Sequence, residues 1–373
     1  MPAIRTTGLA CLLAASGLAL QGGDGVSFKF SGFLSVVGGK VLNGTPEQPR
    51  AYDAYEVDHP FYVADWANWG VYDKSFSFKP ESRIGVQALV KFTDDLSFTG
   101  QVASRGTETT PNLQWAYLAY NLSPNWEIQV GRKRIPLYYY SDFQDIGVSY
   151  PWVTPPPELY GWEATNYNGA SLRFKSTLGG GTLAASAFGG KETVKESRYM
   201  RAYDMTKTDV TWKGILGADV EFNQAWFTLR GVYMKADVEY NDRLDPLNNA
   251  VQGLKSYGLA MNGDFGNWFA LTEIAQLTRT YDGFKLDAPA FSLGAGVRLG
   301  NWTPFLNFAQ YRELTDDPGY VPQNYKRSSL TLRYDITPSH SIKVQLDRYF
   351  EFNGTFFSAT DATVARVAFD MVF

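Results

Sequence analysis

The sequence predicts an all-β protein: a closed transmembrane antiparallel β-barrel of about sixteen strands, with one long inward-folded loop after the fifth. Three observations carry this reading. Segments of roughly ten residues alternate apolar and polar positions, one after another, from Ser27 to Phe373. The connections between them alternate in length, short then long. One stretch, Arg132 to Glu163 (RKRIPLYYYSDFQDIGVSYPWVTPPPELYGWE), breaks the pattern and is too long for an ordinary connection. Its aromatic residues, among them Tyr138, Tyr139, Tyr140, Phe143, Tyr150, Trp152, Tyr160 and Trp162, are too many for a solvated linker. It reads as an ordered loop packed inside the barrel.

Composition narrows the class. Aromatic residues make up 16% of the 373-residue chain, and glycine occurs 35 times. That blend suits a barrel with one lipid face and one wet face. Net charge is −4, so no basic surface argues for nucleic acid. The single cysteine, Cys11, lies in MPAIRTTGLACLLAASGLALQGG, which reads as a secretory signal peptide over residues 1–21. Residues 22–373 then form a single barrel domain, with a constriction loop over 134–166. No apolar run is long enough for a membrane helix.

The segments follow in order. Ser27–Val37 sets Phe28 and Phe30 against Lys29 and Ser31. Glu81–Phe92 sets Ile84, Val86, Ala88 and Val90 against Arg83, Gly85 and Gln87. Ser97–Arg105, Leu113–Leu122 and Asn125–Lys133 come next, and the long loop follows. Beyond it lie Tyr167–Lys175, Thr182–Gly189, Trp212–Phe222, Ala225–Val238, Val251–Asp264 and Asn267–Thr280. Pro289–Gly300, Trp302–Glu313, Lys326–Ile336, His340–Glu351 and Ala362–Phe373 complete the set. Alternation leaves the two faces undecided in Leu113–Leu122, Thr182–Gly189 and Asn267–Thr280.

Closure has a physical reason. In lipid every backbone polar group needs a partner within the protein, so an open sheet edge is not viable. A Lys or Arg facing mid-bilayer costs about 2–4 kcal/mol. Most strand Arg and Lys residues here fall on the other parity, which makes the lumen wet. Phe28, Trp126, Tyr167, Trp226, Trp268, Trp302, Tyr334 and Tyr349 lie near strand ends, where interfacial aromatic girdles are expected.

At this point the chain resembles the Gram-negative trimeric porins of the general-porin type. The last strand, ATVARVAFDMVF, ends in Phe373 with Met371 and Phe369 at alternate positions, like the outer-membrane assembly signal of that class. Ser82-Arg83-Xaa-Gly85 is similar to a short stretch at the start of the second strand there. The long loop follows the fifth strand, where porins place the loop that narrows the pore. The resemblance implies a channel in the outer membrane of a Gram-negative bacterium, a homotrimer, contact with lipid and lipopolysaccharide, and passage of small hydrophilic solutes. A Pro-Glu-Phe-Gly-Gly-type turn is absent from the loop, so no subfamily charge layout is carried over.

The chemistry expected of such a chain is a field. Pore-constriction candidates are Tyr138, Tyr139, Tyr140, Asp142, Asp145, Trp152 and Glu158 on the loop. Arg83, Lys133, Arg173, Arg230, Arg298, Arg333 and Arg366 have the lumen parity. Opposed acid and base across a narrow aqueous gap would filter polar solutes, or the same groups would pair and anchor the loop. The loop aromatics would either stack sugar rings or pin the loop to the wall. The first loop, with His59, Phe61, Tyr62, Trp66, Trp69 and Tyr72, would cap the mouth or latch a neighbouring subunit. Arg132 and Arg134 have lipid parity and are expected to bend inward or meet lipopolysaccharide phosphates.

His59 and His340 fall at opposite rims, so no catalytic arrangement is expected, and neither cofactor nor metal site is indicated. Asp94-Asp95 and Asp316-Asp317 read as solvated turns. The expected function is passive diffusion of ions and small hydrophilic solutes. The alternatives are a substrate-selective porin for sugars or anions and, from another class, a barrel adhesin or structural scaffold.

Overall fold

The computed structural model describes residues 18–21, 25–45, 60–200, 207–320, 322–351 and 361–373. Sixteen strands build the wall. They are β1 (Ser27–Thr45), β2 (Arg83–Lys91), β3 (Leu96–Arg105), β4 (Asn112–Ser123), β5 (Trp126–Arg134), β6 (Asn166–Leu178), β7 (Gly181–Val194) and β8 (Thr208–Gln224). Then come β9 (Phe227–Asp242), β10 (Ala250–Asp264), β11 (Trp268–Thr280), β12 (Lys285–Val297), β13 (Trp302–Arg312), β14 (Asn324–Thr337), β15 (His340–Glu351) and β16 (Asp361–Val372). Each pairs antiparallel with its sequence neighbour, and β1 pairs with both β2 and β16, which closes the sheet. Beyond β16, Phe373 exchanges backbone hydrogen bonds with Gly32 at 2.6 and 3.0 Å. Leu18–Gln21 pairs with Ser27–Phe30 on the same edge of β1.

Loop parity follows the sequence pattern. β2–β3, β4–β5, β6–β7, β8–β9, β10–β11, β12–β13 and β14–β15 are joined by tight turns at one rim. The opposite rim carries the longer connections. β1 runs eight residues past its expected end at Val37, to Thr45. There, Gly38 lies beneath Phe76 and Phe78, and Gly39 bridges to Ser77. The first long connection also folds a hairpin of its own, Tyr62–Asp65 against Gly70–Tyr72, which alternation did not predict.

The faces separate as lipid and water demand. On β15, Ile342, Val344 and Leu346 are exposed outward, while Lys343, Gln345 and Asp347 are buried inward. β16 repeats this with Val367 outward and Arg366, Ala368 and Asp370 inward. Trp126, Trp226, Trp268 and Trp302 are half-exposed near the tight-turn rim, a girdle position. Two girdle expectations are corrected. Tyr167 and Tyr349 are buried inside the barrel, Tyr167 beside Phe188 and Tyr349 against Tyr62 and Tyr325.

The strands that alternation left undecided have identifiable causes. In β4, Gln114 is an extra residue between the pairs Leu113↔Val102 and Trp115↔Gln101. This bulge turns both Gln114 and Trp115 inward while Leu113 faces out, so the period of two breaks. In β7, Ala184, Ala185 and Ala187 are small residues on both faces and blur the contrast; the bulge nearby belongs to β8, at Gly214. In β11 the inward face mixes apolar Phe269, Ala275 and Leu277 with Glu273 and Arg279, all buried, because protein rather than water covers it.

Candidate functional site: the segment inside the barrel

Residues 135–165 leave β5 and return to β6 through a narrow neck, closed by a 3.0 Å bond from the Ile135 N–H to the Thr165 carbonyl. Prolines and the lack of a repeating period keep this segment from extending either strand. It forms only short helical turns, at Ser141–Phe143, Gly147–Ser149 and Pro157–Tyr160. Its contacts reach far across the lumen. The Val153 N–H donates to Gln345 of β15 at 2.9 Å. Lys343 Nζ donates to the Gly147 and Trp152 carbonyls, each at 2.6 Å. Arg333 of β14 donates to the Val148 and Tyr150 carbonyls at 3.0 and 2.8 Å. A segment bonded to inward-facing groups of β14 and β15, yet rooted between β5 and β6, lies within the barrel.

Its acids divide into two environments. Asp145 is buried and paired with Arg105 at 2.8 Å and with Arg134, and its carbonyl accepts from Arg83 Nε at 2.8 Å. Burial works to raise the Asp145 carboxyl, but Arg105, Arg134 and Arg83 outweigh it and hold the group well below the usual carboxylate range. Glu158 is fully buried against Arg327 at 3.0 Å. Arg327 also meets Asp347 at 3.0 Å, Asp347 meets Arg366 at 2.7 Å, and Arg366 meets Glu81 at 2.7 Å. Lys343 pairs with Asp370 at 3.0 Å. These ions sit away from water, where removing one partner strands its mate.

Backbone shape serves the same docking. Gly147 lies directly on the Asp370 carboxylate, and a Cβ there would collide with it. A glycine is required by close approach rather than by its own dihedral angles.

The aromatics pin the segment. Trp152 meets Tyr140 edge-on at 5.3 Å and Phe305 of β13 at 5.1 Å. Tyr138 accepts from the Trp162 indole and packs on Tyr160 at 4.8 Å. The Tyr160 hydroxyl and the Tyr139 N–H both donate to Glu273 of β11, at 2.6 and 2.7 Å. Burial, above all, pushes the Tyr139 hydroxyl up to about 12. Tyr138, Tyr140 and Trp152 therefore present little face to a passing solute.

Asp142 differs from its neighbours. It is exposed, and its side chain makes neither a hydrogen bond nor an ion pair among the described residues. Lys133 and Glu221 lie close enough to feel its charge. Around it the wall remains polar and wetted. Arg173 is 52% exposed and stands 3.8 Å from Glu127, while Arg230, 3.8 Å from Asp219, is buried at the edge of this wall.

The seven basic residues expected in the lumen thus spread over two settings. Arg83, Arg333 and Arg366 hold the segment to the wall, and Arg230 also donates to the Pro136 carbonyl at 2.5 Å. Lys133 and Arg173 face the wet side, and Arg298 pairs with Asp264 at 2.8 Å by the tight-turn rim. Arg132 forks onto Glu192 at 2.7 and 2.8 Å rather than standing free, and Arg134 turns inward to Asp145. Arg105, Arg327, Lys343 and Asp347 were not singled out by sequence reasoning. The parity that marked Arg333 and Arg366 also holds for Arg327 and Lys343, so the signal was present.

The first connection packs into the long-loop half of the lumen as well. Phe61, Tyr62, Trp66 and Tyr72 of the first connection are buried against Leu159 and Trp162 of the segment and against Tyr325 and Tyr349 of the wall. They pack on their own barrel; His59 lies outside the described residues. His340 begins β15 at the tight-turn rim, beside Thr337 and Ser339.

No family model matches the sequence, and no curated protein matches it. Solved structures do. The outer membrane channel DcaP of Acinetobacter baumannii superposes with a TM-score of 0.60 at 14% identity, over 95% of this chain and 99% of that one. An anion-selective porin from Comamonas acidovorans gives 0.58 at 11% identity, over 93% and 100%. OmpT, an outer membrane protein of Vibrio cholerae in a trimer form, gives 0.56 at 9% identity, over 93% and 99%. With β1 closing on β16, sixteen antiparallel strands and loops sorted by rim, the chain has the fold of the outer-membrane porins.

Proposed function

We propose that this chain is an outer-membrane channel through which ions and small hydrophilic solutes diffuse passively. The observation that carries the reading is the wet wall beside the segment. Arg173, Glu127 and Asp142 keep their charges in water inside a barrel whose outside is apolar. Such a lining suits aqueous passage and has no use in a barrel that only displays loops. Residues 1–21 act as the signal peptide, and the mature barrel assembles from its C-terminal strand with Phe369, Met371 and Phe373. The segment 134–166 narrows the passage. The subunit works as a homotrimer among lipid and lipopolysaccharide, a state supported by the porin fold and by the trimer form of one structural neighbour.

The test is conductance. Refolded protein added to a planar bilayer should give discrete, voltage-independent current steps in concentrated KCl. A folded barrel, verified by its heat-modifiable migration on a gel, that passes no current would overturn the channel reading. The trimer is checked separately by mass in mild detergent.

A further inference from the structure

The charges that can act on a passing solute are far fewer than the charges in the lumen. Those on the anchored side are matched in clusters: Asp145 and Glu108 face Arg83, Arg105 and Arg134, and Glu158 and Asp347 face Arg327, four carboxylates against four guanidiniums. Glu273 is in no ion pair among the described residues, and its two oxygens accept from the Tyr139 N–H and the Tyr160 hydroxyl beneath the segment. A charge closely matched by its opposite, and covered by protein, contributes little field a few ångströms away.

On the wet side two pairs also nearly cancel, Arg173 with Glu127 and Arg230 with Asp219. Three groups are left. Lys133 donates to Gln129 and to Ser171 at 3.1 Å, and among the described residues no carboxylate forms an ion pair with it. Asp142 and Glu221 have neither a hydrogen bond nor an ion pair on their side chains among the described residues. Asp142 stands on the segment and Glu221 on β8, and each is near enough to feel the other. Lys133 stands on β5. Arg230, the cross-strand neighbour of Glu221, is shared with Asp219, so Glu127, Asp142, Asp219 and Glu221 face Lys133, Arg173 and Arg230, and the wet side carries one net negative charge. Lys91 and Lys175 lie near the tight-turn ends of their strands and are exposed, where the barrel is open and solvent screens them.

We infer that the passage prefers small cations, and that Asp142, Glu221 and Lys133 set this preference. The inference rests on the channel reading above and gives it a sign. A unit charge about 7 Å from the path, at the dielectric of water, changes local ion concentration roughly threefold. The same charge depletes the opposite ion by that factor, so each of the three groups should shift the permeability ratio by up to about sevenfold, less as salt screens it.

The experiment uses the full-length refolded protein in a planar bilayer with a KCl gradient, and reads reversal potential. The unaltered protein should show K⁺ passing more readily than Cl⁻. Asp142→Asn with Glu221→Gln should lower the K⁺/Cl⁻ ratio severalfold, and Lys133→Gln should raise it. Asp142 is exposed and unbonded, so Asp142→Asn alone serves as the variant least able to disturb folding. An anion-preferring parent, or a reversal potential unmoved by the carboxylate variants, overturns the assignment. Absence of any current sinks the channel reading itself, so the two failures are distinct.

Discussion

The two sides of the inner segment are built from the same residue types and behave differently. On the anchored side, Asp145, Glu158, Arg327 and Arg366 are buried, multiply bonded and matched in charge. On the wet side, Asp142, Lys133 and Arg173 keep contact with water and bond loosely or not at all to opposite charge. The contrast teaches that a charged lumen residue is an anchor or a filter according to what covers it. Residue type and wall parity are the same for both.

The largest effect expected from this contrast is on conductance. Removing residues 141–158 takes away Asp145, Glu158 and Trp152 at once, and should raise single-channel conductance severalfold in a barrel that still folds. Unchanged current would mean that the route does not pass the segment. Because the first-connection hairpin fills the same half of the lumen, a partial rise would assign the remaining resistance to Phe61–Tyr72.

Next comes loss of one anchored ion. Arg327→Ala leaves Glu158 buried without its cation, while Asp347 keeps Arg366, and should cost about 3–5 kcal/mol. Thermal denaturation in detergent checks it; a fall of the size seen for a surface pair would put water at Glu158. Gly147→Val drives a side chain into Asp370 and should cost about 1–3 kcal/mol, with the segment more readily cut by protease.

Acid gives a milder test. The folded Asp145 carboxyl lies below its unfolded value, which is about 3.9. Its contribution is therefore fully present above that pH and is lost as pH falls through the ordinary carboxylate range toward the depressed folded value. Protease protection of the segment should stay flat from neutral pH to about pH 5 and decline below about pH 4. Protection that declines already between pH 7 and pH 5 would point to a group other than Asp145. Smallest of all, Arg173→Gln on the wet side should change stability by no more than about 1 kcal/mol. A larger loss in the same denaturation assay would show that Arg173 also anchors.

Much of this was legible in the sequence, and the remainder has identifiable causes. Strand positions, the even count and the sorting of loops by rim follow from alternation, because a strand's two faces meet lipid and lumen regardless of what lies farther off. The faces of β4 were hidden by the bulge at Gln114, and those of β11 by Phe269 and Leu277, which turn inward because protein covers them. Tyr167 and Tyr349 read as interfacial because alternation gives depth along a strand but not what fills the lumen.

By itself the sequence determined a closed barrel, its wet and greasy faces, and the long segment after the fifth strand. Only the tertiary structure decided which charges are anchors. Arg327 and Glu158 are 169 residues apart, and Arg366 and Glu81 are 285 apart. No local period links them. Arg327 meets Glu158 because closing the barrel brings β14 opposite a segment rooted at β5, and Arg366 meets Glu81 because closure sets β16 beside β1 and, one strand on, the start of β2; burial there makes an unpaired ion too costly to leave.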